Sequence, residues 1–339
     1  MSLFDQRDSC PVCDGGKVTA ILELPYSSGD VCTFLFEYYR LEELFSRADW
    51  ASRVGNTPYA LDSCQNCQAI YQRFAPTSAF AAEIYAQWIG RPSVGTSQKL
   101  KYLNGQSGEH WQFQSFAEHT HKLSEAMRLT KLLINQTGKR YPRELKVLDY
   151  GLGTGVFARA MQACGCRVFG YDLADNRQQA ARESGIQMLS YGDIAHEHFH
   201  FINTEQVFEH IPSPLQTGKY LASVLEPTGF LKVSVPFCRW VERGKHSINW
   251  HEKNRYSDYS PMPYQPLEHL TYFRRPSLLA LGERIGLKEV RPRIIDELNY
   301  SVGWLHSRQA LKNLASAYVR QKFKNYFLFS KPSVGVLPN

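Results

Sequence analysis

Two cysteine pairs of the form C-x2-C are the clearest chemistry-bearing residues of the chain: Cys10 with Cys13, and Cys64 with Cys67. Each pair can present two thiolates to one ion, and zinc prefers a closed tetrahedron of such ligands. In a reducing compartment this spacing predicts a zinc ribbon. Neither pair contains an acid or histidine that could act as a base, so we predict a structural zinc ion. Disulfides or free thiols are the alternatives.

A glycine-rich turn, Val147–Gly155, is the second such feature. Gly151 and Gly153 permit a tight turn and a close approach to a ligand, and Gly155 allows a helix to start against the preceding strand. Asp172 ends the next predicted strand, where an acid can accept hydrogen bonds from both hydroxyls of a ribose. An ordinary turn without a ligand is the alternative.

Two Glu-His pairs, Glu209-His210 and Glu268-His269, come after predicted strands. Ligands of such sheets bind beyond the carboxyl ends of the strands, so both pairs are candidates to act on a substrate. Because histidine titrates near neutrality, we predict His210 and His269 as general bases, each beside its glutamate. Capping a helix or bonding to the backbone is the alternative role for either histidine.

The elements that must position these groups divide the chain into three regions. Residues 1–75 form the predicted zinc-binding ribbon domain, with possible strands at Val31–Phe36 and Ala69–Phe74. Residues 76–140 are predicted to be a helical linker or lid, with helices at Ala79–Trp88 and His110–Gln136. In residues 141–335 strands and helices alternate, which predicts an α/β fold with a mostly parallel sheet.

The periodicity of this third region predicts individual elements. Strands are predicted at 145–150, 167–172, 187–190, 199–203, 230–235, 288–294 and 326–329. Helices are predicted at 155–164, 178–184 and 215–225, and from a cap at Ser277 to Gly286. The long helix before them predicts a buried stripe of Phe113, Phe116, Ala117, Leu123, Met127 and Ile134.

The spacing D-x-G-x-G-x-G at Asp149–Gly155 resembles motif I of class I S-adenosylmethionine (SAM)-dependent methyltransferases, not the G-x-G-x-x-G of dinucleotide enzymes. The resemblance covers residues 145–331. Its further segments are Tyr191–Ile194, Glu205–Pro212, Glu226–Leu231, Pro266–Phe273 and Phe327–Pro332. The chain departs at Leu152, where a small residue or cysteine is usual and where the side chain mainly packs.

The resemblance implies a Rossmann-like, seven-stranded sheet that binds SAM. It implies these cofactor-binding residues: Asp149, Gly151, Gly153, Thr154, Gly155, Asp172, Asp193, Ile194 and Glu205. The cysteine pairs also resemble those of bacterial methyltransferases with an N-terminal zinc-binding segment, including enzymes that methylate sugars. There the zinc would hold a lid or a substrate wall against the catalytic domain.

A catalytic metal is a further possibility at the first Glu-His pair. Ubiquinone-pathway O-methyltransferases and small-RNA 2′-O-methyltransferases have E-x-x-E-H at this place, whereas this chain has Gln206 in the first acidic position. An amide is a weaker ligand than a carboxylate for a hard cation, which argues against such a metal. Glu209, His210 and His269 could still form a weak site.

An insertion at 236–266 is rich in aromatic and basic residues. The aromatic residues are Trp240, Trp250, Tyr256, Tyr259 and Tyr264, and the basic residues and histidines are Arg239, Arg243, Lys245, His246, His251, Lys253 and Arg255. Aromatic rings stack on sugars or bases and arginines bind phosphates, so we interpret the insertion as a substrate lid. A surface loop whose aromatic residues pack beneath it is the alternative.

Composition narrows the function classes. The chain has 339 residues, 43% of them apolar, and a net charge of +7, which is too small to argue for nucleic-acid binding. After Glu297 only basic charges occur, which indicates either a solvated surface or an anion site. The sequence has no membrane-spanning run, and Met1–Asp8 lacks the character of a secretory signal, so we expect a cytoplasmic protein.

We therefore predict a SAM-dependent methyltransferase that acts on a small molecule or glycan, with a hydroxyl or carbon of a sugar or nucleotide-linked sugar as the acceptor. One alternative is an RNA or protein methyltransferase whose zinc module binds the RNA or protein substrate. Another is a SAM-binding scaffold without catalysis, against which the intact glycines and the Glu-His pairs argue. The oligomeric state is left open.

Overall fold

The computed structural model describes residues 2–89, 109–244, 247–252, 259–292, 315 and 326–332, and the side chains of its long helix from Thr120 onward. The chain forms two compact units. Unit 1 comprises Met1–Gly108, Phe208–Thr217 and Val235–Leu281, and unit 2 comprises Glu109–Val207, Gly218–Ser234 and Gly282–Asn339. Both units are discontinuous in sequence. The predicted domain boundaries at residues 75 and 140 and the lid at 236–266 stay predictions.

The strands of the described residues are β1 (Phe4–Gln6), β2 (Val18–Pro25), β3 (Pro58–Cys64), β4 (Ile70–Gln72), β5 (Phe74–Pro76), β6 (Lys146–Tyr150), β7 (Arg167–Tyr171), β8 (Gln187–Met188), β9 (Phe199–Glu205), β10 (Leu225–Ser234), β11 (Thr271–Tyr272), β12 (Lys288–Val290) and β13 (Tyr326–Ser330). The α-helices are α1 (Gly29–Tyr39), α2 (Arg47–Val54), α3 (Ser78–Glu83), α4 (Glu109–Thr137), α5 (Val156–Ala163), α6 (Asp175–Glu183), α7 (Tyr191–Ile194), α8 (Pro214–Ser223), α9 (Arg239–Glu242) and α10 (Arg275–Arg284).

Unit 2 contains the predicted seven-stranded sheet, in the order β12-β13-β10-β9-β6-β7-β8. Strands β10, β9, β6, β7 and β8 run parallel, and β13 pairs antiparallel with both β10 and β12. The central strands are buried on both faces, as expected when helices cover a parallel sheet. The α/β fold class predicted from the sequence is therefore confirmed.

Unit 1 is built on a four-stranded antiparallel sheet in the order β11-β4-β3-β2, and β1 pairs with β5 beside it. Its core is strongly aromatic: Trp50 and Trp88 are fully buried among Tyr26, Tyr59 and Phe80. Their rings meet edge to face, as in the pair Trp50–Trp88 with centroids 5.9 Å apart. The cysteine pairs and the two Glu-His pairs all belong to this unit.

One predicted strand is wrong, because Val31–Phe36 forms part of helix α1. The apolar run is long enough to suggest a strand, but Val31, Leu35 and Tyr39 recur at helical spacing and are all buried. The prediction at Ala69–Phe74 matches β4. Two helices also differ in detail: Ala79–Trp88 becomes α3 followed by a π-helical turn, and α10 starts two residues before Ser277.

The predicted buried stripe on α4 is wrong at Leu123 and Met127, whereas Ile134 is partly buried and packs against the core. Leu123 and Met127 are 41% and 53% exposed, whereas Ala126, Leu129 and Leu133 are buried. Phe113, Phe116 and Ala117 lie outside the described side chains. The buried face of α4 includes two charged residues that a hydrophobic pattern assigns to the surface, Lys122 and Glu125.

These charges belong to a cluster that joins α4 to β9 and β10. The Lys232 ammonium in β10 lies 2.6 Å from Glu125 Oε1 and 3.4 Å from Glu205 Oε2, and Lys122 pairs with both glutamates. Burial alone would raise the pKa of Glu125, but Lys232 and Lys122 overcome that effect and lower it to about 2. The buried face of α4 therefore combines these ion-paired charges with apolar core residues such as Leu129 and Leu133.

We predict that Glu125→Gln lowers the free energy of unfolding by about 3 kcal/mol, because it leaves the buried Lys232 charge without its nearest partner. The measurement is urea unfolding followed by circular dichroism. The folded-state pKa of Glu125 is depressed, so its contribution is complete above pH 4.5 and disappears as the pH falls toward 2. The exposed Glu183→Gln on α6 is the matched control and should change stability by less than about 0.5 kcal/mol. Equal stability of both variants would contradict the role given to the cluster.

Candidate functional site

The four predicted zinc ligands converge in unit 1. Cys10 Sγ lies 3.6 Å from Cys67 Sγ, Cys13 Sγ lies 3.6 Å from Cys64 Sγ, and all four sulfurs fall within 4.8 Å of one another. A tetrahedron with Zn–S arms of ~2.3 Å has edges of about 3.8 Å, so the spacing fits this ion. A disulfide needs about 2.05 Å between sulfurs, and none of these cysteines is paired in that way.

The backbone around the cysteines explains this convergence. Cys64 ends β3, and its N–H donates to the carbonyl of Ala69 across the turn into β4, at 2.9 Å. The first pair forms a similar turn, in which the Cys10 N–H donates to the Gly15 carbonyl at 3.0 Å. In each turn one residue, Asp14 or Gln68, adopts a positive φ. These tight turns point both thiols of a pair to the same side.

The glycine-rich turn in unit 2 connects β6 to α5. The N–H groups of Gly151 and Leu152 donate to the Tyr171 carbonyl at 2.7 and 3.1 Å, which fixes the turn against the end of β7. Gly151 has φ of 76°, and a Cβ there would lie 2.5 Å from a Val207 methyl carbon. A side chain at this position would therefore be strained and would collide with the loop after β9.

Asp172 lies directly after β7 and contacts this turn. One carboxylate oxygen accepts the Gly153 N–H and the other accepts the Ala174 N–H, both at 2.9 Å. Each carboxylate oxygen has a further lone pair, so Asp172 can support the turn and still accept a hydroxyl. This geometry is compatible with the predicted ribose contact.

The other predicted cofactor residues take varied positions in unit 2. Asp149 is buried and accepts the Asn203 amide at 2.7 Å, and burial raises its pKa to about 6. Asp193 forms a capping box with Ser190 at the start of α7. Glu205 forms ion pairs with Lys122 and Lys232 in the cluster described above, and its side chain is partly exposed.

Two further predicted cofactor residues, Ile194 and Thr154, differ in their exposure to solvent. Ile194 is fully buried, and Thr154 is exposed with its carbonyl accepting from the Arg159 guanidinium at 3.0 Å. Gly155 caps α5 with a left-handed φ of 70°, as the sequence predicts for a helix that starts there. The cofactor roles of all these residues stay predictions.

In unit 1 the structure brings both predicted histidines together. The His210 and His269 rings meet edge to face with centroids 4.9 Å apart. His210 Nδ1 lies 3.0 Å from the Glu268 carbonyl oxygen. A carbonyl can only accept, so Nδ1 carries the proton and Nε2 carries the lone pair. Nε2 is thus the ring nitrogen of His210 that could accept a proton.

Glu209 lies beside these rings. Its carboxyl group is buried, has no hydrogen-bond partner among the described residues, and lies 3.9 Å from His210 Nε2. Burial raises the pKa of Glu209 to about 8 and lowers that of His269 to about 4. One ligand atom each from Glu209, His210 and His269 lies within 4.8 Å of the others, so the three could hold a divalent cation.

Glu268, the fourth predicted catalytic residue, is directed elsewhere. Its carboxylate accepts the Tyr39 hydroxyl at 2.5 Å and the Gln265 side-chain amide. Gln72 extends this network by donating to the carbonyls of Gln265 and His269, each at 3.1 Å. These bonds fix the loop that carries His269. Tyr39, Gln72 and Gln265 were missed from the sequence, since no local motif reveals contacts between such distant segments.

Several aromatic residues of the 236–266 insertion are core residues of unit 1. Trp240, Trp250 and Tyr264 are buried in the aromatic cluster, which agrees with the alternative that these rings pack beneath the surface. His251 is exposed. Residues 245, 246 and 253–258 lie outside the described part, as do most of the basic residues after Glu297. No described helix has the length and apolar character needed to cross a bilayer.

Comparisons with known proteins identify methyltransferases both by family model and by individual relatives. Residues 109–291, more than half of the chain, match a family model described as "Methyltransferase domain". The ubiquinone biosynthesis O-methyltransferase of Idiomarina loihiensis is 27% identical over 163 residues, which cover 43% of this chain and 62% of that protein. Its namesake from Xanthomonas campestris pv. campestris is 35% identical over 100 residues, or 26% of this chain and 42% of that protein.

The chain thus spans about half the length of the curated relatives that it matches. Among solved structures, the plantazolicin methyltransferase BpumL in complex with SAH has a TM-score of 0.44 and 14% identity, covering 74% of this chain and 94% of that one.

We expect Asp172→Asn to weaken SAM binding by about 1.5–3 kcal/mol, because a charge-assisted hydrogen bond to a ribose hydroxyl is lost. Isothermal titration calorimetry with SAM measures this change. Asp175→Asn, an exposed position three residues further along, is the matched control and should bind SAM normally. Unchanged affinity in a folded Asp172→Asn protein would remove Asp172 from the cofactor site.

Proposed function

The chain belongs to the methyltransferase-domain family, and on this premise we propose that it is a class I SAM-dependent methyltransferase that methylates a hydroxyl group of a small molecule with His210 as general base. The observation that carries the proposal is the cluster of Glu209, His210 and His269, in which the Glu268 carbonyl fixes the His210 tautomer. SAM supplies a methyl group on a sulfonium, which makes the methyl carbon electrophilic. The protein must orient the acceptor oxygen and remove its proton.

The position of His210 in the sequence, shortly after strand β9, supports its role as general base. His210 stands five residues after Glu205, the last residue of β9, and ligands of such sheets bind beyond the carboxyl ends of the strands. His210 Nε2 can accept the hydroxyl proton as the oxygen attacks, and the buried Glu209 carboxyl lies 3.9 Å from this nitrogen. His269, which burial keeps neutral, would orient the acceptor through a hydrogen bond.

A hydroxyl acceptor is favoured by the relatives, whose names are those of O-methyltransferases. The sugar or nucleotide-linked sugar predicted from the sequence has no support from these relatives, so we keep it as one class to be tested. We place RNA and protein substrates behind small molecules because the net charge is modest. A scaffold without catalysis is the least favoured, since a buried carboxyl that has no hydrogen-bond partner among the described residues is costly to maintain without a function.

A divalent cation at the same cluster is a second way to activate the hydroxyl. The buried Glu209 oxygens and His269 Nδ1 have no hydrogen-bond partners among the described residues, and an ion would satisfy them. A carboxylate with two imidazoles suits transition metals such as Zn²⁺ or Mn²⁺. The ion would lower the pKa of a bound hydroxyl and thereby assist proton removal.

We predict that His210→Ala lowers turnover by about 10²–10⁴-fold, as loss of a general base typically does. SAM affinity should barely change, because His210 is not assigned to the cofactor. The assay follows SAH formation with a panel of acceptors that includes phenols, aliphatic alcohols and nucleotide-linked sugars. His198→Ala, an exposed histidine in unit 2, is the control and should retain full activity.

Near-normal turnover of both His210→Ala and His269→Ala on an accepted substrate would refute the proposed base. Removal of metal by a chelator, followed by re-addition of Mn²⁺ or Zn²⁺, separates the two mechanisms. Activity that depends on re-added ion and is lost in Glu209→Gln favours the cation. Activity that survives chelation favours direct proton transfer to His210. A panel with no accepted molecule, despite tight SAM binding, would favour the scaffold.

We also propose that Cys10, Cys13, Cys64 and Cys67 bind one structural zinc ion. The sulfur spacing supports this, and a reducing compartment such as the predicted cytoplasm would keep the thiols available. Four thiolates complete the coordination of zinc, so this ion has no open position for a substrate. Its effect on the reaction would come through the fold of unit 1.

We expect elemental analysis of the purified protein to find one zinc ion per chain held by the cysteines. Cys64→Ser should lose that ion and destabilise unit 1, because metal binding and folding are coupled. Cys32→Ser is the control, since this buried cysteine lies outside the four-cysteine cluster. Freshly prepared protein that contains no zinc, and a Cys64→Ser variant as stable as the parent, would contradict the assignment.

A further inference from the structure

Arg7 connects three separate segments of unit 1 through its guanidinium group. Its two terminal nitrogens donate to the carbonyls of Gln72 at 3.1 Å, Leu270 at 3.0 Å and Pro212 at 2.7 Å. Leu270 follows His269 directly, and Pro212 comes two residues after His210. Gln72 ends β4, the strand that follows the second cysteine pair. One side chain therefore bonds to both histidine loops and to the sheet that carries the cysteines.

The charge of Arg7 also needs a partner. Among the described residues no carboxylate forms an ion pair with it, and all three hydrogen-bond acceptors are neutral carbonyls. Burial lowers the pKa of Arg7 to about 10, so the group stays protonated at neutral pH. Cys10 stands three residues away along the chain. Four thiolates and one Zn²⁺ carry a net charge of −2, which would balance a nearby guanidinium.

Two further contacts link the cysteine turns to the histidine loops. The Leu215 N–H, in the segment after His210, donates to the carbonyl of Pro11 between the first two cysteines, at 3.4 Å. Strand β11, which starts two residues after His269, pairs with β4 through Thr271 opposite Tyr71. Backbone hydrogen bonds thus connect the His210 loop to the first cysteine turn, and the His269 loop to β4, the strand that follows the second cysteine turn. Arg7 donates hydrogen bonds to both loops.

We propose that Arg7 is a positioning residue, which transmits the geometry of the four-cysteine site to the loops that carry His210 and His269. The proposal rests on the proposed function for its catalytic consequence, but the coupling itself can be measured without turnover. Arginine suits this position because its planar fork can donate to several acceptors at once, whereas lysine offers one ammonium. On this view the zinc site sets the distance between the histidines in addition to stabilising the fold.

The first experiment compares Arg7→Ala with Arg73→Ala by NMR of ¹⁵N-labelled histidine side chains in the full-length, zinc-containing protein. Arg73 lies beside the same sheet and pairs with Asp62 and Glu23, but none of its ion pairs involves the histidine loops. We expect Arg7→Ala to shift or broaden the His210 and His269 ring signals while zinc content stays at the parent level. Arg73→Ala should lower thermal stability and leave those signals in place.

The second experiment measures kinetics and rescue with any acceptor that the panel identifies. Arg7→Ala should lower kcat by about 10- to 100-fold, as small displacements of catalytic groups do, and leave KM for SAM unchanged. Millimolar guanidinium should restore part of the lost activity and the histidine signals, since it can occupy the space among the three carbonyls. Ammonium at the same concentration should restore neither. If Arg7→Ala does not fold, Arg7→Lys is tested in the same way.

Unchanged histidine signals in a folded Arg7 variant would overturn the proposal. Loss of zinc together with the signal changes would also overturn it, because Arg7 would then act only by retaining the metal. If His210→Ala proves fully active but Arg7→Ala still moves the histidine signals, the proposed base fails while the coupling stands. The two ideas can therefore fail separately.

Discussion

The pairing of β11 with β4 is the interaction on which unit 1 depends. It is short, with Thr271 opposite Tyr71 and Tyr272 opposite Ile70, yet it attaches the His269 loop to the sheet that carries the cysteine turns. A two-residue strand is only marginally stable by itself. The neighbouring polar side chains compensate for this: Gln72 and Arg7 bond to carbonyls on both sides of the pairing. The candidate catalytic loops and the cysteine turns are therefore parts of a single packed structure.

The backbone before each Glu-His pair is strained. Gln206 and Leu267 adopt φ values of 55° and 72°, in the left-handed region that disfavours side chains with a Cβ. Such residues cost of order 1–3 kcal/mol and persist only where the surrounding structure fixes them. Gln206 donates its N–H to the Ser234 carbonyl at 2.9 Å, and Leu267 is buried in the aromatic core. The packing thus holds both turns in conformations that a free chain would avoid.

The sequence predicted the sheet of unit 2 well because its signals are local. Glycines at a strand end and alternating apolar runs report directly on β6, the turn and α5. Other predictions failed in both units. The apolar run at Val31–Phe36 in unit 1 is a helix. On α4 in unit 2, Leu123 and Met127 are exposed, whereas Lys122 and Glu125 form ion pairs with Glu205 and Lys232. Partners of that kind lie far away in sequence, and hydrophobic periodicity carries no information about them.

The candidate site divides in the same way. Local motifs identified the four cysteines, His210 and His269, since residue type and spacing carry their chemistry. The bonds that orient them come from Tyr39, Gln72, Gln265 and Arg7, which have no motif and reach their partners only in the folded chain. A buried polar group without a partner costs free energy, so each orienting bond also stabilises the fold. The same requirement that buried polar groups be paired therefore accounts for the hydrogen bonds that orient His210. Glu209 and His269, by contrast, have buried atoms without hydrogen-bond partners in the described part of the chain, as a site for a ligand or ion would require.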